Sequence, residues 1–148
     1  MIHRLSLAIC FILLSCTPKS PQTPNTAGSH IDANVPDKND FRAFLIRDLT
    51  AFLKLKYGNQ LKIEYELLRT DPTQSGLAYP RFYLWLSATN ADMQPIEGAV
   101  RVAAIDGKSF DVTHFIPSSV IVSNPDSVTR IFPPALIQKI RTKAGLKN

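Results

Sequence analysis

Residues 81–88 constrain this chain more than any other stretch. Read as a strand, they place Phe82, Leu84 and Leu86 on one face and Tyr83 and Trp85 on the other. A strand with one solvated face alternates apolar and polar residues, and this one does not. Two arrangements satisfy it. Either the strand is central and covered by further layers on both sides, or Tyr83 and Trp85 line an exposed concave surface that binds a partner.

The flanking segments supply the layers. Residues 40–57 read as a helix, entered through Asp37 or Asn39 and stopped by Gly58-Asn59. Phe41, Phe44, Leu45, Leu49, Phe52 and Leu53 share one sector of it, with Arg47 and Lys54 opposite and Asp48 inside the apolar sector. Residues 61–68 alternate Leu61, Ile63, Tyr65 and Leu67 with Lys62, Glu64 and Glu66, the pattern of a half-exposed antiparallel strand. Residues 98–116 read as a hairpin. A two-residue Asp106-Gly107 turn would mix apolar and polar residues on one face. A three-residue loop of Ile105, Asp106 and Gly107 instead sets Val102 opposite Phe110, Val100 opposite Val112 and Arg101 opposite Asp111. On that register His114 points inward, on the other face from Asp111.

Past the bend at Pro117-Ser118-Ser119, residues 120–123 read as a resumed or fifth strand, and Asn124-Pro125-Asp126 as a helical turn capped by Asp126. Pro133-Pro134 opens a last helix whose buried stripe is Leu136, Ile137, Ile140 and Ala144. The expected fold is α+β: an N-terminal helix on a four- or five-stranded, mainly antiparallel sheet with a C-terminal helix. Residues 40–148 form one domain. This element order resembles the small α+β folds of the cystatin-like and NTF2-like kind, which host binders, inhibitors and enzymes alike.

Ahead of the domain, residues 1–15 have the parts of a secretory leader: His3 and Arg4, an almost wholly apolar run over 5–14, then small Ser15 before Cys16. The run is shorter than the about 20 apolar residues a membrane span takes. Leu13-Leu14-Ser15-Cys16 resembles the lipobox of bacterial lipoproteins, whereas Cys10, after bulky Ile9, does not fit it. The resemblance implies cleavage before Cys16, acylation of its thiol and attachment to the cell envelope through lipid chains. It further implies that Thr17, which is not aspartate, permits export to the outer membrane of a host that has one. After cleavage no second cysteine remains for a disulfide, and acylation removes the one thiol. Residues 16–39 then form a proline-rich linker, with Pro18, Pro21, Pro24 and Pro36 and few apolar residues.

The net charge of +5 is unevenly spread. Loss of Arg4 with the leader leaves +4, and residues 127–148 hold Arg130, Lys139, Arg141, Lys143 and Lys147 with no acid, so residues 16–126 total −1. Lysine and arginine late in a helix complement its dipole. Lys139, Arg141 and Lys143 are also the candidates for a basic strip that meets an anionic surface or an acidic partner. An exported lipoprotein is not expected to meet nucleic acid. No nucleophile elbow, glycine-rich phosphate loop or metal-spaced histidine pair occurs, and no cofactor is implied. An enzyme would need a cavity between the first helix and the sheet lined by both Asp48 and His114. The expectation is a membrane-anchored, non-enzymatic binding or accessory module that uses Tyr83 and Trp85 or the basic last helix on an envelope protein. The alternative is an inhibitor or immunity-type protein against an envelope-acting toxin or hydrolase.

Mass spectrometry of the mature protein is expected to find Cys16 as a lipid-modified N-terminus, and Cys16→Ser to abolish partition into the detergent phase. An unmodified Cys16 would remove the lipoprotein reading.

Overall fold

The computed structural model describes residues 33–147. The leader, Cys16 and most of the linker, with His30, lie outside the described residues. Helix α1 (Lys38–Tyr57) starts two residues earlier than expected, on Asp37, whose backbone carbonyl, not its carboxylate, accepts from the Asp40 and Phe41 amides. It ends at Gly58, where φ is +81° and the amide donates to the Lys54 carbonyl. The φ value is one that glycine adopts without a Cβ clash. Leu45, Leu49 and Leu53, one turn apart along the buried stripe, are fully buried.

Among the described residues the strands β1 (Lys62–Leu67), β2 (Arg81–Thr89), β3 (Pro95–Ile105) and β4 (Ser109–Pro117) form one antiparallel sheet in the order β1-β2-β3-β4. Strand β2 lies inside it. Phe82, Leu84 and Leu86 meet α1, with Phe41 packed edge-on against Phe82 and Phe110 at 5.0 and 4.9 Å between ring centres. Tyr83 and Trp85 meet a second layer formed by α2 (Ser118–Ser123), a 3-10 turn (Pro125–Val128) and α3 (Pro134–Lys143). Ile121, Val128, Phe132, Leu136 and Ile140 cover this face. The molecule is thus an α+β fold of three layers, with a separate core on each side of the sheet.

Four local expectations change. Residues 118–123 are helical, not a strand, because pairing stops where Pro117 faces Gly98 and the chain must turn to carry Ile121 onto the second face. Burial of that one side chain outweighs the strand preference of Val120, Ile121 and Val122. The cap of the following turn is Asn124, whose Oδ1 accepts from the Asp126 amide at 3.3 Å. The globular unit reaches back past residue 40: Asn34 is 5% exposed, and Val35 packs against the α1 core.

The hairpin differs most. Asp106 and Gly107 have φ of +52° and +65°, and the Lys108 amide closes the turn on the Ile105 carbonyl. The ladder then pairs Ile105 with Ser109, Ala104 with Phe110 and Val102 with Val112, two residues later than expected but with the same residues facing α1. Contacts from far along the chain select this register. The Asn34 carbonyl and Oδ1 accept from the Gly107 and Asp106 amides, Arg47 donates to the Lys108 carbonyl, and Asp48 accepts from the Phe110 amide. A bulge at Thr113 then sets Arg101 opposite His114 and returns Phe115 to the α1 face opposite Val100.

Gly98 sits where β3 and β4 crowd: a Cβ there would collide with the Ile116 carbonyl oxygen and lie 2.7 Å from the Phe115 ring. Gly98→Ala is expected to destabilise the domain by about 1–3 kcal/mol in urea unfolding, the usual range for overpacking. An unchanged midpoint would show that the strands part without cost.

Candidate functional site

The residues singled out from sequence mostly hold layers together. Tyr83 and Trp85 are 4% and 6% exposed, so the covered arrangement is realised and the concave aromatic surface is not formed. The Tyr83 hydroxyl meets Thr73 Oγ1 at 2.7 Å, which satisfies its buried polar end. The C-terminal segment itself supplies the cover, with Phe132 at 5.8 Å from the Tyr83 ring.

The basic strip is largely spent within the molecule. Lys139 and Lys143, one helical turn apart, straddle the Glu66 carboxylate at 3.0 and 2.6 Å, and Arg141 reaches Asp126 Oδ1 at 2.8 Å and the Pro125 carbonyl. Lys143, then Lys139, hold the Glu66 carboxyl below its ordinary range. The C-terminal excess of charge is therefore countered by acids from β1 and the 3-10 turn. A count by segment does not reveal this, because Glu66 lies far from α3 in sequence.

Asp48 and His114 lie on opposite faces of the sheet. Asp48 Oδ2 accepts from the Phe110 amide at 2.7 Å, and its Oδ1 accepts from Arg47 Nε at 2.8 Å. The Thr113 bulge turns His114 away from α1, onto the face that Asp111 shares, and its partner there is Arg101, 2.7 Å from Nδ1. Arginine only donates, so Nδ1 accepts and the ring proton is on Nε2. Arg101 also donates from Nε to Thr113 Oγ1 and from Nη1 to the Ile131 carbonyl, tying the bulge to the C-terminal layer. Burial, then the charges of Arg101 and Arg81, push the His114 pKa down.

What remains open is a groove that sequence reasoning missed. Helix α1 runs closest to β4 and touches β1 only lightly, and Ile63, Tyr65 and Leu67 stay half-buried. Beside them Val35, Phe41, Phe82 and Pro72 wall a mainly apolar depression of about 700 Å³, with Lys38, Arg42 and Asp71 at its rim. Burial raises the Tyr65 phenol above its ordinary value, against the opposing pull of the Arg42 guanidinium. The available signal was the alternation of β1 beside a helix whose stripe is dominated by residues that meet β4. Such a groove suits an apolar group carried by an acidic or neutral partner.

Among the described residues no three histidine, cysteine, aspartate or glutamate side chains converge as metal ligands do, and no helix is long and apolar enough to cross a membrane. No protein-family model, curated protein or solved structure matches the chain.

Two outcomes follow from the polar contacts. Asp48→Ala leaves the Phe110 amide without its acceptor and is expected to cost about 1–3 kcal/mol, read by urea unfolding. For His114, the depressed pKa means that stability is whole above the ordinary value of 6.5. As pH falls below it the unfolded chain takes up a proton that the folded chain refuses, and stability falls until the folded pKa is passed. His114→Gln is expected to flatten that part of the stability–pH curve, and an unchanged slope would show that His114 does not cause it.

Proposed function

We propose that this chain is a membrane-anchored lipoprotein of the bacterial cell envelope whose domain acts as a non-enzymatic binding or accessory module. The observation that carries the reading is Leu13-Leu14-Ser15-Cys16 at the end of an apolar run, followed by a proline-rich spacer and a domain without cysteine. The arrangement of polar groups supports a binding role. Asp48, His114, Lys139, Arg141 and Lys143, the groups best suited to chemistry or charge recognition, are each engaged within the fold: Asp48, Lys139 and Lys143 join a helix to the sheet, His114 meets Arg101 across two strands, and Arg141 ties α3 to the 3-10 turn. The groove beside β1, with Arg42 at its rim and Tyr65 in its wall, is the surface offered to a partner.

Capture from solubilised envelopes tests this, with the wild-type chain and an Arg42→Glu/Tyr65→Ala variant as baits. The wild type is expected to retain an envelope protein that the variant loses by tenfold or more. Equal recovery would remove the groove from the account. A captured toxin or hydrolase whose activity falls on binding would turn the module into an inhibitor.

A further inference from the structure

Helix α1 begins against the usual preference for charge at helix ends. Its first residue is Lys38 and its fifth is Arg42, at the end where the backbone dipole is positive and acids are favoured. At about 100° per residue the two cations lie about 40° apart, and Asp40, the acid of the first turn, lies about 160° from both. Among the described residues neither cationic side chain makes an ion pair or a hydrogen bond, so no acid holds either of them. Both are exposed on the rim of the groove. The Arg42 charge reaches inside it and acts on the Tyr65 phenol. Below the rim, Val35, Phe41, Leu67, Pro72 and Phe82 line an open, mainly apolar trough of about 700 Å³. Unmatched positive charge and unfilled apolar surface coincide at one place.

We infer that the groove binds a fatty-acid anion, with its carboxylate at Lys38 and Arg42 and its hydrocarbon chain along the trough. Each half of such a ligand supplies what its part of the groove lacks. A carboxylate is the planar partner that an arginine fork and a neighbouring ammonium accept, and it is favoured at the positive end of a helix. A hydrocarbon chain takes Phe41, Tyr65 and Leu67 out of water, with the gain usual for apolar burial. The volume falls within the range of small-molecule sites. A cationic amphiphile would add to the unmatched charge, and a neutral one would leave it as it is. Asp71, on the wall that the loop after β1 supplies, counts against a doubly charged phosphate head. The inference rests on the groove being a binding surface, as proposed above, and names a ligand with which a captured protein would compete.

Full-length chain with Cys10→Ser and Cys16→Ser carries no thiol and no attached lipid, so no acyl chain of its own competes. Dodecanoate and dodecyltrimethylammonium, equal in chain length and opposite in charge, are titrated below their micelle concentrations and followed on the backbone amides by NMR. Dodecanoate is expected to shift Phe41, Tyr65 and Leu67 and to leave Phe132 and Ile140, on the other face of the sheet, in place. It is expected to bind about tenfold or more tighter than the ammonium and than hexanoate, and dodecyl phosphate to bind no tighter than dodecanoate. Lys38→Glu/Arg42→Glu, at two exposed positions, is expected to reverse the preference for charge, whereas Lys54→Glu in the last turn of α1 leaves it unchanged. Circular dichroism confirms that each chain is folded. The inference is overturned if the two dodecyl ligands of opposite charge bind alike, if the shifts fall outside the groove, if dodecyl phosphate binds about tenfold tighter than dodecanoate, or if the folded Lys38→Glu/Arg42→Glu chain still prefers dodecanoate. No dodecanoate binding, together with loss of the captured protein in Arg42→Glu/Tyr65→Ala, would remove the fatty acid and keep the groove as a protein surface. Dodecanoate binding with equal capture would keep the fatty-acid site and remove the groove as a protein surface.

Discussion

Everything in this fold follows from the need to cover β2 on both sides. Phe82, Leu84 and Leu86 require one layer, and Tyr83 and Trp85 require another. At about 25 cal/mol per Å² of apolar surface, neither face is left in water without a cost comparable to the stability of a whole domain. The chain answers with a single long helix on one face and with three short pieces on the other. The short pieces suit their face because Pro117, Pro125, Pro133 and Pro134 break the C-terminal segment at each change of direction. Each piece contributes one or two fully inserted side chains: Ile121, Val128, Leu136 and Ile140.

Polar fasteners align the layers that apolar burial brings together. Hydrophobic contact is non-directional and would tolerate α1 sliding along the sheet. The Asp48 contact to the Phe110 amide and the Arg47 contact to the Lys108 carbonyl fix it to the hairpin end. On the other face Arg101 joins Thr113, His114 and Ile131, and Glu66 receives both lysines of α3. The Glu66 pairs are surface pairs in high dielectric, so they orient α3 more than they stabilise it. The Arg101 and Asp48 contacts are partly buried, and losing one partner there strands the other.

The legible parts of the sequence were those set by local period. The stripe of α1, the alternation of β1, the two apolar faces of β2 and the stripe of α3 all came from spacing, and the α+β order followed. In the hairpin, Val100, Val102, Phe110 and Val112 were assigned to the proper side, and the parity fails past the bulge, where Phe115 and not His114 faces α1. What spacing did not carry was decided by contacts distant in the chain. The hairpin register depends on Asn34, Arg47 and Asp48, the flip of His114 depends on a bulge that Arg101 and Thr113 stabilise, and residues 118–123 turn helical for the sake of Ile121. The candidate residues fared similarly. Tyr83, Trp85, Asp48 and the α3 cations were noticed because they broke a pattern, and all but Arg141, which ties α3 to the 3-10 turn, mark a junction between layers. The groove broke no pattern, because it arises from where α1 lies across the sheet.

Asn34 gives the domain a mechanical character as well. It precedes α1, yet its carbonyl and side chain grip the turn between β3 and β4. Tension arriving through the N-terminal tether would load the Asn34 grip on that hairpin tip before it could peel the first turn of α1 from the sheet. The helix is thereby shielded from being unwound from its end, and the load passes into a ladder of strands. If the chain is anchored through Cys16 as proposed, that grip would give the domain strain relief, much as a cable clamp protects a solder joint.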